Sequence, residues 1–248
     1  MKEAYRAIDG GAMLYDAELP HPARPEWFEP AWWRERDALT GEAGGRGTAL
    51  LIDAGEAAAG AHWVLRRFRR GGLIRQLVDR HYLWLGEART RGFAEWRLLA
   101  HLHDAGLPVP RPVAACYRRR GAMCYVAELI TARLPDNRTL RELYTDDAVP
   151  PEVWPRVGAV LRRMHAAGAC HTDLNAGNLL VTGGGDVFIV DFDQGSLRRP
   201  GRWQAGNLAR LRRSLQKTAV QGGREALAPE HWAALLRGYR SGGDQSPA

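Results

Sequence analysis

Residues 171–193 read HTDLNAGNLLVTGGGDVFIVDFD, and their few polar side chains are spaced so that they can meet. Asp173 and Asn178 lie five positions apart in a loop, and an apolar run follows Asn178 at once. A Gly-Gly-Gly-Asp turn separates this run from a β-branched and aromatic run that ends at Asp191. Two such runs around a glycine turn predict a β-hairpin. Because a hairpin returns the chain to its starting point, we expect Asp191 beside Asn178.

The chemistry of these side chains suits phosphate transfer. A carboxylate and an amide oxygen are hard ligands, which suit Mg²⁺ carrying a phosphate chain. Asn178 and Asp191 are therefore the predicted metal ligands, and Asp173 is left to act as the base. The alternative interpretation is that these residues only cap loops, but capping does not require all of the positions at once.

The pattern resembles that of the protein-kinase-like phosphotransferases, H-R-D-L-x-x-x-N followed by D-F-G. Here the chain has His171-Thr-Asp173-Leu-x-x-x-Asn178 and later Asp191-Phe-Asp193. The resemblance implies an α+β, bilobal fold, in which an N-terminal lobe has an antiparallel sheet and one main helix and the C-terminal lobe is mostly helical. The chain would divide into an N-terminal arm, a nucleotide-binding N-lobe and a C-lobe with the catalytic loop, metal site and acceptor site: residues 1–40, 41–130 and 131–248.

Composition points to an anionic partner. The 248 residues are enough for two lobes, and their net charge of +7 comes almost wholly from arginine, since Lys2 and Lys217 are the only lysines. Arginine suits a nucleotide, a nucleic acid or an acidic lipid surface. Three cysteines without metal-ligand spacing imply no disulfide framework and favour a reducing compartment. We find no signal peptide and no run near the roughly 18 apolar residues of a membrane span, so any membrane association is expected to be peripheral.

The predicted arm is rich in proline and tryptophan. Its prolines argue against long elements before residue 30, and residues 31–39 can form a short helix. Its aromatic residues should cover something apolar: Trp27, Phe28, Trp32 and Trp33. Either the arm packs on the first lobe, or the tryptophans are partly exposed at a lipid interface.

Two features of the N-lobe are candidates for nucleotide binding. Gly44, Gly45 and Gly47 lead into an apolar strand, as a phosphate-covering loop would, although a plain turn has the same composition. The strand at 62–68 contains no lysine to contact the phosphates. Arg66 is the candidate because it shares a face with Val64, and Arg67, on the other face, competes with it.

The clearest helix of the first half runs from Thr90 to Gly106. Glu95 lies on its apolar face and needs a partner there, which the kinase fold supplies as the strand cation, Arg66. Glu87 is the fallback for this ion pair, and a solvated Glu95 is the alternative. A later hairpin strand, predicted at 123–129, runs into the segment Glu128–Thr131, where the lobes should join and backbone groups would bind adenine.

The sequence departs from the kinase pattern at two further positions. Asn175 stands where protein kinases place a lysine near the transferred phosphate, and an arginine at 198, 199 or 202 can replace that charge. Asp193 stands where D-F-G has glycine, so it can bind a second metal or pair with an arginine. His171 is expected to scaffold the loop. No A-P-E element is present, so a protein substrate is not expected.

The C-lobe and one stretch of the N-lobe carry further patterns. A helix at 151–168 has a buried apolar stripe, and its His165 is expected in the core and not in catalysis. A basic amphipathic helix at 207–218 should turn its cations outward at 210, 212, 213 and 217. The basic run at 69–75 and the aromatic segment at 81–85 are either a solvated face or a contact with anionic lipid head groups.

Together these segments resemble the bacterial 3-deoxy-D-manno-octulosonic acid (Kdo) kinases over about residues 26–217. The resemblance is carried by the catalytic segment, the Gly-Arg-Gly at 45–47, the VLRRFRRGG run at 64–72 and the GLPVPRP connector at 106–112. It implies ATP-dependent phosphorylation of the 4-hydroxyl of a Kdo sugar on a lipid A precursor, at the cytoplasmic face of the inner membrane. It implies Mg²⁺ as a cofactor, with no nucleic-acid partner.

Other functions stay open from the sequence. The chain could be a heptose kinase of the lipopolysaccharide core, or a small-molecule kinase of the aminoglycoside or choline type. Its charge also suits a nucleic-acid-binding protein, whose affinity would fall steeply with salt. The missing strand lysine also fits a pseudokinase-like module that binds nucleotide and transfers no phosphate.

Overall fold

The computed structural model describes residues 1–43, 49–55, 61–68 and 82–241. The chain forms two compact units. The first comprises Met1–Ala100 and Arg111–Arg133, and the second comprises His101–Pro110 and the residues from Leu134 onward. The first 40 residues therefore belong to the same unit as the sheet.

Among the described residues, eight strands form one antiparallel sheet in the first unit. They are β1 (Glu3–Ile8), β2 (Gly11–Asp16), β3 (Leu39–Ala43), β4 (Ala49–Asp53), β5 (His62–Arg67), β6 (Tyr82–Leu83), β7 (Pro112–Arg120) and β8 (Cys124–Ala132). Their order is β1-β2-β7-β8-β5-β4-β3, with β6 paired to the first part of β8. A short helix α1 (Pro30–Arg34) follows the prolines, and the main helix is α2 (Arg91–Asp104). The antiparallel sheet and the main helix agree with the prediction.

The strands β1 and β2 were not predicted. The prolines argued against long elements before residue 30, but they begin only at residue 20, and two six-residue strands precede them. This hairpin turns at Gly10, whose φ is +67°, and β2 pairs with β7. A Cβ at Gly11 would lie 2.0 Å from the carbonyl oxygen of Tyr117, so only glycine allows the two strands to approach this closely. The arm thus extends the sheet by two strands.

The tryptophans of the arm form part of the core of the first unit. Trp27 and Trp33 are each 1% exposed, and their rings lie 4.7 and 5.9 Å from that of Trp63 in β5. The Trp33 indole donates to the carbonyl of Trp27 at 2.8 Å. Trp32 is half-buried, with Arg36 over its ring. The packed-arm interpretation therefore holds, and burial removes Trp27, Phe28 and Trp33 from any lipid interface.

The second unit is mostly helical, as predicted. Its helices are α3 (Leu140–Thr145), α4 (Val153–Ala166), α5 (Trp203–Gln221) and α6 (Pro229–Ser241). Its strands are β9 (Asn137–Thr139), β10 (Ala169–Cys170), β11 (Leu179–Thr182), β12 (Val187–Ile189) and β13 (Ser196–Leu197), which form the sheets β12-β11-β9 and β10-β13. A capping box between Thr139 and Glu142 starts α3. Of the described helices, none has both the length and the apolar character needed to cross a membrane.

Two glycines let α4 and α6 pack backbone to backbone. A Cβ at Gly158 would lie 2.0 Å from the carbonyl oxygen of Leu235, and one at Gly238 would lie 1.9 Å from that of Pro155. Gly158→Ala is therefore expected to lower the free energy of unfolding by about 3 kcal/mol, because the helices must separate. Urea denaturation measures this change.

The matched control is Gly206→Ala in α5, where a Cβ would meet no atom of a neighbouring element within 4 Å in the described chain. This change is expected to raise stability by about 0.5–1 kcal/mol, since alanine is the better helix former. Equal effects of the two substitutions would contradict the close packing of α4 on α6.

Candidate active site

The hairpin predicted after the loop is present. Strands β11 and β12 pair in antiparallel register, with Leu179 opposite Ile189 and Val181 opposite Val187. The N–H of Val190 then donates to the carbonyl of Asn178 at 3.0 Å, which extends the pairing by one step. The hairpin therefore brings the residue before Asp191 back to Asn178, as expected from the sequence.

The loop before the hairpin is held together by hydrogen bonds to the backbone of Asp173. The side-chain amides of Asn175 and Asn178 both donate to its carbonyl oxygen, at 2.9 and 3.0 Å. Its own N–H donates to Nδ1 of His171 at 3.2 Å. The loop thus fixes the backbone of Asp173 while its side chain stays 69% exposed. A carboxylate held in this way can accept a proton from a bound hydroxyl group.

His171 joins the loop to the hairpin. Because its Nδ1 accepts the Asp173 N–H, its Nε2 carries the proton and donates to the carbonyl of Val190 at 3.0 Å. The ring also packs on Phe192, with 4.8 Å between centroids, and both residues are buried. These contacts agree with the predicted scaffolding role of His171.

The predicted metal ligands differ in their surroundings. Because the amide nitrogen of Asn178 is bound to the Asp173 carbonyl, Oδ1 is the atom that it can offer to a cation. Asp191 is exposed and has a φ of +64°, a left-handed conformation that costs a non-glycine residue about 1–2 kcal/mol. Such strain is concentrated at functional sites. Asp193 is half-buried, and its carbonyl accepts from the Thr172 hydroxyl at 3.0 Å.

These oxygen donors fit Mg²⁺ that arrives with a substrate. Within the described residues, no group of three or more His, Cys, Asp or Glu side chains could hold a metal ion. The predicted set offers only two carboxylates, from Asp191 and Asp193, together with the Asn178 amide oxygen. Mg²⁺ is usually held in this way, by one or two carboxylates and by substrate phosphates.

The cations at the loop are not those expected. Arg210 Nη1 lies 3.5 Å from Asp173 Oδ1, and Arg141 Nη2 donates to Asn175 Oδ1 at 2.9 Å. Of the predicted cations, Arg198 instead donates to Ser196. Within the described residues, the side chains of Arg199 and Arg202 form no hydrogen bond or ion pair with the loop.

Helix α5 positions the loop along one of its faces. The side chains of Asn207, Arg210 and Ser214 recur at helical spacing, and each contacts the segment 171–176. Asn207 both donates to the His171 carbonyl, at 2.8 Å, and accepts from its N–H, at 3.3 Å. Arg210 is exposed, as predicted, but it also contacts Asp173, a role that the sequence did not predict. Polar residues at this spacing on an otherwise apolar helix face were the signal that could have identified this role.

A buried chain of hydrogen bonds continues from Asn207 to α6. His165 Nε2 lies 3.3 Å from Asn207 Oδ1, and its Nδ1 lies 2.7 Å from the Tyr239 hydroxyl. Because the backbone of His171 fixes the orientation of the Asn207 amide, the imidazole donates through Nε2. In the neutral ring, Nδ1 accepts from the Tyr239 hydroxyl. His165 lies in the core, as predicted.

Stability should depend on the protonation of His165. Burial, with a smaller contribution from Arg162, lowers its pKa from 6.5 to about 4, although the bond to Asn207 opposes the shift. A folded-state pKa below the unfolded value means that the unfolded chain binds the proton more tightly. The free energy of unfolding is therefore unaffected by His165 above pH 6.5, and it decreases as the pH falls from 6.5 toward 4. We expect His165 to remove up to about 3 kcal/mol from the free energy of unfolding over this range.

Urea denaturation at several pH values measures this dependence. His165→Gln should flatten the pH profile between 6.5 and 4.5, where most carboxylates are still ionised. His21→Gln, at an exposed position, should leave the slope unchanged. An unchanged slope in the His165 variant would contradict the neutral, buried imidazole.

In the first unit, the predicted ion pair between Arg66 and Glu95 is present. Glu95 is 3% exposed, so the pair satisfies a buried carboxylate. Arg67 is on the other face of β5, where its Nε lies 3.0 Å from Glu128 Oε1. The fallback partner Glu87 instead accepts from the hydroxyls of Tyr5 and Tyr117.

Glu128 does not lie at the end of its strand. It is in the middle of β8, paired with Arg67 on one side and Cys116 on the other, and the strand continues to Ala132. Its side chain is also bound by Arg67 and Arg118. The strand thus extends one residue past the segment Glu128–Thr131, and the first unit ends at Arg133. The glycines at 44, 45 and 47 and the basic run at 69–75 lie outside the described residues.

These features define a phosphotransferase of kinase-like fold. One unit has an antiparallel sheet and a buried Arg–Glu pair, and the other is helical and carries the loop and the hairpin. Solved structures support the fold. The structure titled "WaaP in complex with acyl carrier protein" has a TM-score of 0.51 at 20% identity, over 84% of this chain and 81% of that chain. A glucosamine kinase in complex with glucosamine, ADP and inorganic phosphate has a TM-score of 0.52 at 17% identity, over 95% and 80%.

The sequence comparisons identify the family. The profile described as "Lipopolysaccharide kinase (Kdo/WaaP) family" matches residues 30–239, and the chain belongs to this family. A 3-deoxy-D-manno-octulosonic acid kinase of Xanthomonas axonopodis pv. citri (strain 306) is 43% identical over 92% of this chain and 89% of its own length. The protein of the same name from Stenotrophomonas maltophilia (strain K279a) is 40% identical over the same shares. The predicted family and fold class are thus confirmed, and the chain is a kinase of lipopolysaccharide core synthesis.

Proposed function

We propose that the chain transfers the γ-phosphoryl group of ATP to the 4-hydroxyl of a Kdo sugar on a lipid A precursor. The observation that carries this proposal is the exposed Asp173 carboxylate, held by a loop that also presents Asn178 and leads to Asp191. The relatives at about 43% identity are named as kinases of this sugar acid. The name of these relatives supports Kdo as the acceptor, and the side chains of the loop support phosphoryl transfer as the reaction.

Each residue has a defined part in the reaction. The acceptor oxygen forms a bond to the γ-phosphorus, the bond between that phosphorus and the ADP oxygen breaks, and Asp173 takes the hydroxyl proton. Asn178 and Asp191 would hold Mg²⁺, with Asp193 as a further ligand, and the ion would neutralise charge on the phosphates. Arg66, oriented by Glu95, would contact the phosphates that are not transferred. His171 and Asn207 hold the loop in shape.

The proposed location is the cytoplasmic face of the inner membrane, with peripheral attachment. In support, α5 carries a shallow depression lined by two arginines, a lysine and apolar surface: Arg212, Arg213, Gln216, Lys217, Val220 and Gln221. Val220 is 57% exposed. Cations beside an exposed apolar side chain suit anionic lipid head groups. In the first unit, Leu83 and Leu85 are also exposed.

Transfer of labelled phosphate from ATP tests the proposed reaction. The acceptors are Kdo-bearing lipid A precursor and the same glycolipid extended with heptose. We expect label in the former, dependent on Mg²⁺. Label only in the heptosylated acceptor would establish a heptose kinase instead, and binding of Mg-ATP without transfer would establish a pseudokinase. Cosedimentation with vesicles that contain phosphatidylglycerol, but not with pure phosphatidylcholine vesicles, tests the location.

A further inference from the structure

Two arginines lie on either side of the proposed base, Asp173. Arg210 contacts one carboxylate oxygen directly, and Arg141 is linked to the other through Asn175. Arg210 Nη1 lies 3.5 Å from Oδ1 of Asp173. On the other side, Asn175 Nδ2 lies 3.3 Å from Oδ2, and the oxygen of the same amide accepts from Arg141 at 2.9 Å. A group bound at Asp173 therefore lies next to Arg210 and, across Asn175, next to Arg141.

Both guanidinium groups have capacity for a ligand. Each side chain is exposed, and in the described part of the chain each forms a single hydrogen bond from its guanidinium group, to Asp173 and to Asn175 respectively. A guanidinium group has five N–H donors, so most donors of each arginine are left for a bound molecule. An exposed pair at 3.5 Å is a weak contact, and Arg210 can exchange it for a better one.

The loop makes room for Arg141. A Cβ at Gly177 would lie 2.8 Å from Arg141 Nη2 and 2.9 Å from Cζ, so a larger residue there would displace the guanidinium group. The N–H of Gly177 also donates to Asn175 Oδ1 at 2.8 Å, which fixes the amide that binds Arg141. Arg141 therefore lies over the loop in a defined position.

An acidic sugar offers the group that these donors fit. A carboxylate accepts two parallel N–H bonds from arginine, a geometry that lysine cannot provide. In a sugar acid the carboxylate and the reacting hydroxyl belong to the same small molecule. When the sugar hydroxyl binds to Asp173, the sugar carboxylate therefore comes within reach of Arg141 and Arg210. The contact of Arg210 with Asp173 shows that this guanidinium group already lies where a carboxylate can meet it.

We infer that Arg141 and Arg210 recognise the carboxylate of the acceptor sugar and so select an acidic acceptor. This inference rests on the proposed function, since it requires a sugar acid as the acceptor. It makes the two arginines determinants of specificity, with Asp173 as the catalytic group between them. The competing role for Arg210 is to bind the transferred phosphate, in place of the lysine that kinases have at position 175.

The experiment pairs protein variants with a modified acceptor. Kdo-bearing lipid A precursor is compared with the same acceptor whose carboxyl group is converted to a primary amide. In the unchanged protein, the amide should lower kcat/KM about 10- to 100-fold, the effect expected when a charged hydrogen-bonding partner is lost. Arg210→Gln and Arg141→Gln should each cause a similar loss with the acid acceptor but less than about a threefold loss with the amide. Arg210→Lys should recover only part of the loss.

Further measurements separate the two roles of Arg210. The KM for ATP should be unchanged in Arg210→Gln, and Arg237→Gln, an exposed arginine in α6, should have full activity with both acceptors. If Arg210→Gln lowers kcat/KM equally for the acid and the amide, or raises the KM for ATP, the carboxylate assignment is overturned. If the unchanged protein phosphorylates no Kdo acceptor, the proposed function itself fails, and this outcome is visible before any variant is made.

Discussion

Asp173→Asn is expected to lower phosphoryl transfer by about 10²- to 10⁴-fold, because the variant removes the group that accepts the hydroxyl proton. The substitution keeps the shape of the side chain. Its surroundings also change little, since Asp173 is 69% exposed and the loop is held mainly through its backbone. Stability should therefore be close to that of the unchanged protein. The measurement is kcat with saturating ATP and acceptor, together with urea denaturation of the same preparation.

Asp186→Asn is the matched control for Asp173. Asp186 is exposed in the turn of the hairpin that follows the loop, and its backbone N–H donates to the Thr182 hydroxyl. The control should keep full activity. Transfer within tenfold of the unchanged rate in Asp173→Asn would remove this residue as the base and, with it, the proposed mechanism.

Asp191→Asn should lower transfer about a thousandfold, and it should raise the Mg²⁺ concentration needed for half-maximal rate. An asparagine tolerates the left-handed backbone at this position almost as well as aspartate, so the fold should persist. The loss would then come from the missing charge at the metal. Titration of the rate with Mg²⁺, at fixed ATP, measures the effect.

A second substitution separates strain from ligation. Asp191→Gly should also lose activity, but it should raise the free energy of unfolding slightly, because glycine adopts a φ of +64° without the steric penalty. Asp37→Asn is the matched control, since Asp37 is also exposed and has a φ of +51°. An unchanged Mg²⁺ dependence in Asp191→Asn would exclude Asp191 as a metal ligand.

The parts of the fold that could be predicted are those with strong local patterns. The hairpin at 179–189 follows from a glycine turn between two β-branched runs, and α4 follows from its apolar stripe. The Arg66–Glu95 pair could be predicted because a carboxylate on an apolar helix face needs a partner, and the resemblance to the kinase fold implied that this partner is the strand cation. Local patterns were sufficient for the hairpin and for α4, whereas the ion pair also needed the resemblance to the kinase fold.

The elements that could not be predicted depend on distant partners. Strand β2 is fixed by β7, about a hundred positions later, and its own alternation of polar and apolar residues is weak. Helix α6 depends on the close approach of Gly238 to α4, which no local pattern reveals. Arg210 is exposed as expected, but its contact with Asp173 depends on a residue 37 positions earlier in the chain. Strand β8 was predicted to end at Leu129, but sheet pairing on both sides extends it to Ala132.

Helix α6 is connected to the reaction centre by a chain of hydrogen bonds. The chain runs from Tyr239 through His165 and Asn207 to the backbone of His171. An engineered chain cut before Pro229 would lose the Tyr239 hydroxyl and uncover the glycine face of α4. The imidazole would then have water in place of its hydroxyl partner, and the loop would lose the rigid backing behind Asn207. Shortening the protein from this end would therefore impair turnover before it removed any residue that meets a substrate.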